Sequence, residues 1–191
     1  MAKEMVVVGG PNGAGKTTFA EDYARRYDLR YIGADAIAAQ FAPADPASVR
    51  LAAGRAFFDR FDVAIRGFGS FVIESTLSGS GFAKSLQRAR DSGFEIDVIY
   101  IYLDSADTCV NRVAERVRKG GHDVPEADVR RRYARSLRNF WQTYRLLADR
   151  WLLVYNWGET PVDVAVGSGA RVAVRDADLY ARFLQLTKAV E

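Results

Sequence analysis

Apolar and polar positions along this chain switch repeatedly between a strand period and a helix period, and each switch marks an element. The unbroken apolar run from Met5 to Val8 predicts a buried first strand, and Thr18 to Arg26 continue as a helix. Leu29 to Ile32 predict a short second strand running into Gly33-Ala34-Asp35. Pro43 and Pro46 punctuate a loop in which Asp45 is available to cap the next helix. From Ala47 to Arg66, the residues Ala53, Phe57, Phe61, Ala64 and Ile65 fall at helical spacing. Phe71 to Glu74 predict a third strand that ends in an acid. Phe82 to Ser92 read as a helix, and Phe94 to Leu103 as a buried strand closed by Asp104. Ser105 is a capping residue for a helix whose Ala106, Cys109, Val110, Val113 and Val117 share a face, and that helix runs out at Lys119-Gly120-Gly121. Glu126 to Arg150 predict a second long helix with Val129, Tyr133, Phe140, Tyr144 and Leu147 as its apolar stripe and Arg131, Arg135 and Arg138 on the opposite side. Trp151 to Tyr155 make a further strand, Val162 to Val174 a hairpin-like piece, and Asp176 to Val190 a closing helix.

Strands alternating with helices predict an α/β domain with a mainly parallel sheet flanked by helices. No repeat or linker interrupts the 191 residues, so a single domain over 1–191 is expected. Ligands of such sheets sit beyond the carboxyl ends of the strands, which places Asp35, Glu74 and Asp104 along one rim.

Composition narrows the class without naming a substrate. The chain is 49% apolar and 27% charged, as ordinary soluble domains are. Its start, Met-Ala-Lys-Glu, leads straight into the first strand, and no apolar run reaches membrane-spanning length, so a cytoplasmic location without membrane contact is expected. The lone Cys109 reads as a packing residue, and the single His122 excludes a His-rich metal cluster. A net charge of +3 suits an anionic ligand and is too small by itself to argue for nucleic acid.

The candidate chemistry lies where the first strand ends. Gly10, Gly15, Lys16 and Thr17 match the phosphate-loop pattern G-x-x-x-x-G-K-[ST], with a strand before it and a helix after it. Gly10, Pro11, Asn12, Gly13, Ala14, Gly15, Lys16, Thr17 and Thr18 are therefore the expected ATP-binding segment. Backbone N–H groups and the start of the helix face the phosphates, Lys16 bridges the β- and γ-phosphates, and the Thr17 hydroxyl ligates Mg²⁺. The class of fold is thus a P-loop NTPase of the nucleoside- and nucleotide-kinase type.

Phosphoryl transfer also needs a carboxylate for the acceptor and cations for the transferring charge. Asp35 fits as general base, with the N-cap of a helix starting at Ala36 as the plainer reading. Glu74 fits the metal's water shell or an acceptor hydroxyl, with Thr76 beside it, and is preferred to Asp104 because the third strand is expected next to the phosphate loop. Arg116 and Arg118 flank a double glycine that reads as a mobile flap, an arginine-bearing lid over about 116–130, with Arg131 reaching in from the next helix and His122 touching substrate. Arg135 and Arg138 read as a solvated face. The Asn156-Trp157 loop is a candidate purine contact. Leu77 to Gly81, LSGSG, lacks the glutamine of the LSGGQ signature of ABC transporter ATPases and reads as a loop shaping the acceptor pocket.

GGPNGAGKTT, Gly33-Ala34-Asp35, the FVIESTL segment ending at Leu77, RVAERVRKGGHDVP and RRRYARSLRNF together resemble the zeta toxin-like P-loop kinases, over roughly Met5 to Asn156. GGHDVP is the most specific of these motifs. The resemblance implies ATP/Mg²⁺-dependent phosphorylation of a 3′-hydroxyl on the amino sugar of UDP-N-acetylglucosamine, and a protein antitoxin as partner. On that pattern Lys16 and Thr17 match the nucleotide and metal contacts, Asp35 the acceptor base, Glu74 an acceptor contact and the flap arginines the charge stabilisers. Two other readings stand beside it: a kinase of nucleosides or nucleic-acid ends, and a nucleotide-gated toxin-antitoxin or regulatory module with little transfer.

Overall fold

The computed structural model describes residues 3–43, 46–67, 69–158 and 160–190. Seven strands form one sheet in the order β2-β3-β1-β4-β5-β6-β7. β1 (Lys3–Gly9), β2 (Arg30–Ile32), β3 (Phe71–Ser75), β4 (Phe94–Tyr102) and β5 (Arg150–Tyr155) run parallel. β6 (Val162–Ser168) and β7 (Arg171–Val174) add an antiparallel extension. β1 lies between β3 and β4, so the winding of the chain reverses at its carboxyl end, where open α/β sheets open a crevice. The expected fold class, a mainly parallel sheet flanked by helices of P-loop NTPase type, is the one observed.

The helices are α1 (Lys16–Arg26), α2 (Ala34–Phe41), α3 (Arg50–Arg66), α4 (Phe82–Asp91), α5 (Ala106–Arg118), α6 (Glu126–Asn139), α7 (Arg145–Leu147) and α8 (Ala177–Ala189). A 3₁₀ turn, Pro46–Val49, leads into α3; the cap expected at Asp45 lies outside the described residues. Ser105 caps α5 as expected, its hydroxyl accepting the Thr108 N–H at 3.1 Å. Asp176 caps α8 in the same way. Among the described residues no helix is long and apolar enough to cross a membrane.

The long helix expected over Glu126 to Arg150 ends sooner. After Asn139 the backbone takes a π-helical turn, Phe140–Tyr144, followed by the short α7. The chain is then captured by the sheet. The Asp149 N–H donates to Ile96 O at 2.8 Å, and the Asp149 carboxylate accepts the Ile96 N–H at 2.8 Å, so Arg150 begins β5. The π turn also turns Phe140 and Tyr144 into the core, where Phe140 stacks on Tyr100 with 4.1 Å between ring centroids.

Phe183 of α8 closes this aromatic cluster, fully buried against Tyr100, Tyr102, Phe140 and Trp141. Phe183→Ala is expected to cost about 3–5 kcal/mol of stability, read as a lower denaturant midpoint. A loss below about 1 kcal/mol would show that α8 is not part of the cooperative core.

Candidate active site

The phosphate loop is built by backbone strain that only glycine relieves. Gly10, Gly13 and Gly15 all have positive φ. At Gly10, where φ is 144°, a Cβ would lie 2.1 Å from the Ile101 carbonyl oxygen, so the loop turns hard against β4. Asn156, just beyond β5, pins the other end: its side-chain amide donates to Ala14 O at 2.8 Å. α1 starts at Lys16 with no side-chain cap and no acid in its first turn, so its N-terminal N–H groups remain for an anion.

Lys16 is buried, 6% exposed, and donates to Pro11 O at 2.8 Å. Its ammonium lies 3.9 Å from Glu74. Burial pushes the Lys16 pKa down, opposed first by Glu74 and then by Asp35. Glu74 reaches the loop because β3 pairs with β1 in the register Val8↔Glu74. One of its oxygens accepts the Thr17 hydroxyl at 3.2 Å, and the other accepts the Tyr31 hydroxyl at 2.6 Å. Burial first, and Glu74 second, push the Tyr31 pKa far up, so Tyr31 stays a donor.

Asp104 is elsewhere. β4 also pairs with β1, so strand adjacency alone does not separate the two acids; register does. Gly9 is opposite Tyr100, so Asp104 lies beyond the strand and accepts the Tyr155 hydroxyl instead.

Lys16, Thr17 and Glu74 line one cleft of about 680 Å³ together with Asn12, Gly13, Gly15, Thr18, Asp35, Thr76 and His122. Gly10, Pro11 and Ala14 shape the loop behind it. Asp35 is the second residue of α2, whose cap position is Gly33, so it is not the helix cap and its side chain is exposed in the cleft. Leu77, buried with a φ of 52°, holds the LSGSG loop beside the site. Its carbonyl accepts the Asn139 amide at 2.9 Å, and the Tyr144 hydroxyl donates to Gly79 O. Thr76, just before this loop, and Ser78 within it bond each other at 2.9 Å and line the cleft.

The arginines divide differently from the expected set. Arg116 is in the cleft, with Nε and Nη2 buried and without a hydrogen-bond partner. Arg118 is exposed and does not line the cleft, and Arg131, also absent from its lining, pairs with Asp128 at 2.8 Å. In their place stand Arg112, one turn before Arg116, and Arg132, which also reaches Asp128 at 3.6 Å. The i,i+4 spacing of Arg112 and Arg116 was the available signal for the first; three consecutive arginines hid the second. Tyr31 had no signal of its own.

The double glycine forms the stop of α5. Gly120 takes φ 82°, its N–H donates to Val117 O, and the Gly121 N–H donates to Arg116 O, both at 2.9 Å. Gly121 thereby packs onto the Arg116 stem, where a Cβ would sit 2.5 Å from its Cγ. The Asn156-Trp157 loop holds Trp157 exposed, with the Arg112 guanidinium 5.9 Å from its ring centroid.

The donor set fits Mg²⁺-nucleotide better than a metal alone. No group of three or more His, Cys, Asp or Glu side chains is placed to hold a metal among the described residues, whereas Thr17 and Glu74 offer hard oxygen ligands beside a cradle for phosphate. The unpartnered Arg116 nitrogens need an anion.

Residues 5–138 match the AAA domain family. The chain belongs to that family. By sequence, this AAA domain is 32% identical over 133 residues to an uncharacterized protein of Haemophilus influenzae, an alignment covering 70% of this chain and 94% of that one. Among solved structures, the AvrRxo1-ORF1:AvrRxo1-ORF2 complex with sulphate ions superposes with a TM-score of 0.75 at 19% identity over 97% of this chain, which spans 64% of that longer one; the same complex has been solved with ATP. The PezAT chromosomal toxin-antitoxin system of Streptococcus pneumoniae superposes with a TM-score of 0.66 at 14% identity, covering 99% of this chain and 86% of that one. At these identities the structural likeness establishes the fold alone, a P-loop NTPase-like α/β domain.

Cys109 packs under the loop, and burial pushes its thiol up to about 12 from 9.0. The folded protein is expected to resist thiol reagents at pH 8 and to react once denatured. Because the unfolded thiol ionises near pH 9 while the folded one does not, this group's contribution to stability is constant below pH 9 and falls as pH rises toward 12. Rapid labelling of the native protein would contradict this burial.

Proposed function

We propose that this chain is a kinase that transfers the γ-phosphoryl group of ATP to a hydroxyl of a small molecule in the cytoplasm. The observation that carries the reading is the convergence of Lys16, Asp35, Glu74 and Arg116 on one cleft at the end of β1. A phosphate loop alone would serve any nucleotide-binding protein; a free carboxylate facing it is what a hydroxyl acceptor requires. The ATP-bound AvrRxo1 complex and the toxin of the PezAT system support the same reading through their shared fold.

In this mechanism the loop N–H groups and Lys16 hold the β- and γ-phosphates. Thr17 and Glu74 would hold Mg²⁺, which supplies charge neutralisation on the phosphates, and Tyr31 keeps the Glu74 carboxylate aimed at Thr17. The acceptor oxygen attacks the γ-phosphorus, the bond to the β–γ bridging oxygen breaks, ADP departs, and the hydroxyl proton passes to Asp35. Arg116, joined by Arg112 and Arg132, takes the charge that spreads over the γ-phosphoryl oxygens. Arg118 and Arg131 do not line the cleft and are given no part in this mechanism. Thr76 and His122 border the acceptor. The first acceptor to test is UDP-N-acetylglucosamine, with other nucleotide sugars next, as the resemblance to zeta toxins suggests. The PezAT likeness makes an antitoxin-like protein the partner to look for.

Asp35→Asn is expected to lower phosphoryl transfer by at least about a hundredfold while leaving ATP affinity within twofold of wild type. The assay is incubation with ATP/Mg²⁺ and a panel of nucleotide sugars, nucleosides and oligonucleotides, scored by the mass gain of one phosphate. Undiminished transfer by the variant would remove Asp35 from the mechanism.

A further inference from the structure

The two walls of the cleft differ in chemistry. α1, α5 and α6 bring Lys16, Arg112, Arg116 and Arg132, whereas the lining residues from α2 and α3 include no cation among the described residues. There the only charge is Asp35, and the remainder is small or aromatic: Ala38, Ala53, Gly54, Phe57 and Phe58.

Gly54 lies inside α3, where glycine is among the poorest helix formers. Packing does not account for it, because a Cβ there would meet nothing within 4 Å. The space it leaves is cleft space. One turn later Phe58 is 47% exposed, its ring 5.3 Å from and perpendicular to that of Phe57, so an aromatic face is presented to the cleft instead of the core. A glycine with no steric duty beside a half-exposed ring makes an apolar shelf in the same cleft as the Asp35 carboxylate.

We propose that Gly54 and Phe58 form the ring seat of the acceptor subsite, holding a neutral planar ring while the acceptor's hydroxyl faces Asp35. The acceptor class is an alcohol that carries a neutral planar ring, as a nucleoside or the nucleoside part of a nucleotide sugar does. A polyol would leave the Phe58 face wet, and an anionic group on the shelf would meet Asp35 and Glu74 with no cation from α2 or α3 to balance them. The direction of the hydroxyl rests on the kinase reading; the seat itself does not, so it is tested by binding and not by turnover.

The protein is saturated with a non-hydrolysable ATP analogue and Mg²⁺, which occupies the nucleotide site, and is titrated with adenosine, guanosine, cytidine, uridine, gluconate and N-acetylglucosamine. Calorimetry gives affinity, and saturation-transfer NMR gives the contacting protons. At least one nucleoside is expected to bind through its base protons, at least tenfold more tightly than gluconate or N-acetylglucosamine. Phe58→Ala and Phe58→Leu weaken that binding at least tenfold and Phe58→Trp retains it. Gly54→Leu abolishes it without lowering the melting temperature or the affinity for the ATP analogue. Absence of nucleoside binding, equal binding of gluconate or N-acetylglucosamine, or indifference to Phe58→Leu overturns the proposal. Nucleoside binding without phosphate transfer would leave the seat standing and remove the kinase; transfer to a ring-free acceptor would do the reverse.

Discussion

Everything in the site depends on keeping a buried ammonium and a buried carboxylate together where β1 and β3 end. Lys16 and Glu74 are both almost sealed from water, at 6% and 11% side-chain exposure. An unpaired charge at such depth is unfavourable by several kcal/mol. The parallel register Val8↔Glu74 holds the partner there, and Thr17 and Tyr31 occupy the carboxylate's two oxygens. The apolar strands therefore do more than fill the core: they fix the depth at which the two charges meet.

Around that pair the fold supplies incompletely satisfied groups, all directed at the same space. The α1 N-terminus lacks a side-chain cap, and Arg116 keeps two nitrogens without partners. Orphans of this kind are rare in folded proteins and destabilise them unless a ligand completes the bonds. The helix stop at Gly120-Gly121 then has a functional consequence, because it packs the backbone onto the Arg116 stem and holds the guanidinium over the cleft. Asn156, reaching Ala14 from beyond β5, ties the loop to the far side of the sheet.

How far this was legible in the sequence depended on how local each signal is. The phosphate loop, the Ser105 cap and the acids just after β2 and near the end of β3 are encoded in a few adjacent residues, and the strand-end rule brought them to one rim. Which arginines reach the cleft is set by the roll of α5 and α6 against the sheet. One residue on a helix is about 100°, which separates Arg132 in the cleft from Arg131 outside it. The end of α6 was missed for a similar reason, since Asp149 is claimed by a β4 backbone group distant in sequence. Tyr31 carries a positioning role that no spacing announces; only the pairing of β2 with β3 brings its hydroxyl to Glu74.

The central claim is that the buried Lys16–Glu74 pair and the unpartnered Arg116 nitrogens are two sides of a seat for the γ-phosphate of ATP. A crystal structure with Mg²⁺ and a non-hydrolysable ATP analogue tests it most directly. The account predicts γ-phosphate oxygens within hydrogen-bonding distance of both Lys16 Nζ and the Arg116 guanidinium, with the Asp35 carboxylate facing the same phosphorus. A nucleotide bound with its γ-phosphate outside this cleft, or with Arg116 still unpaired, would contradict it.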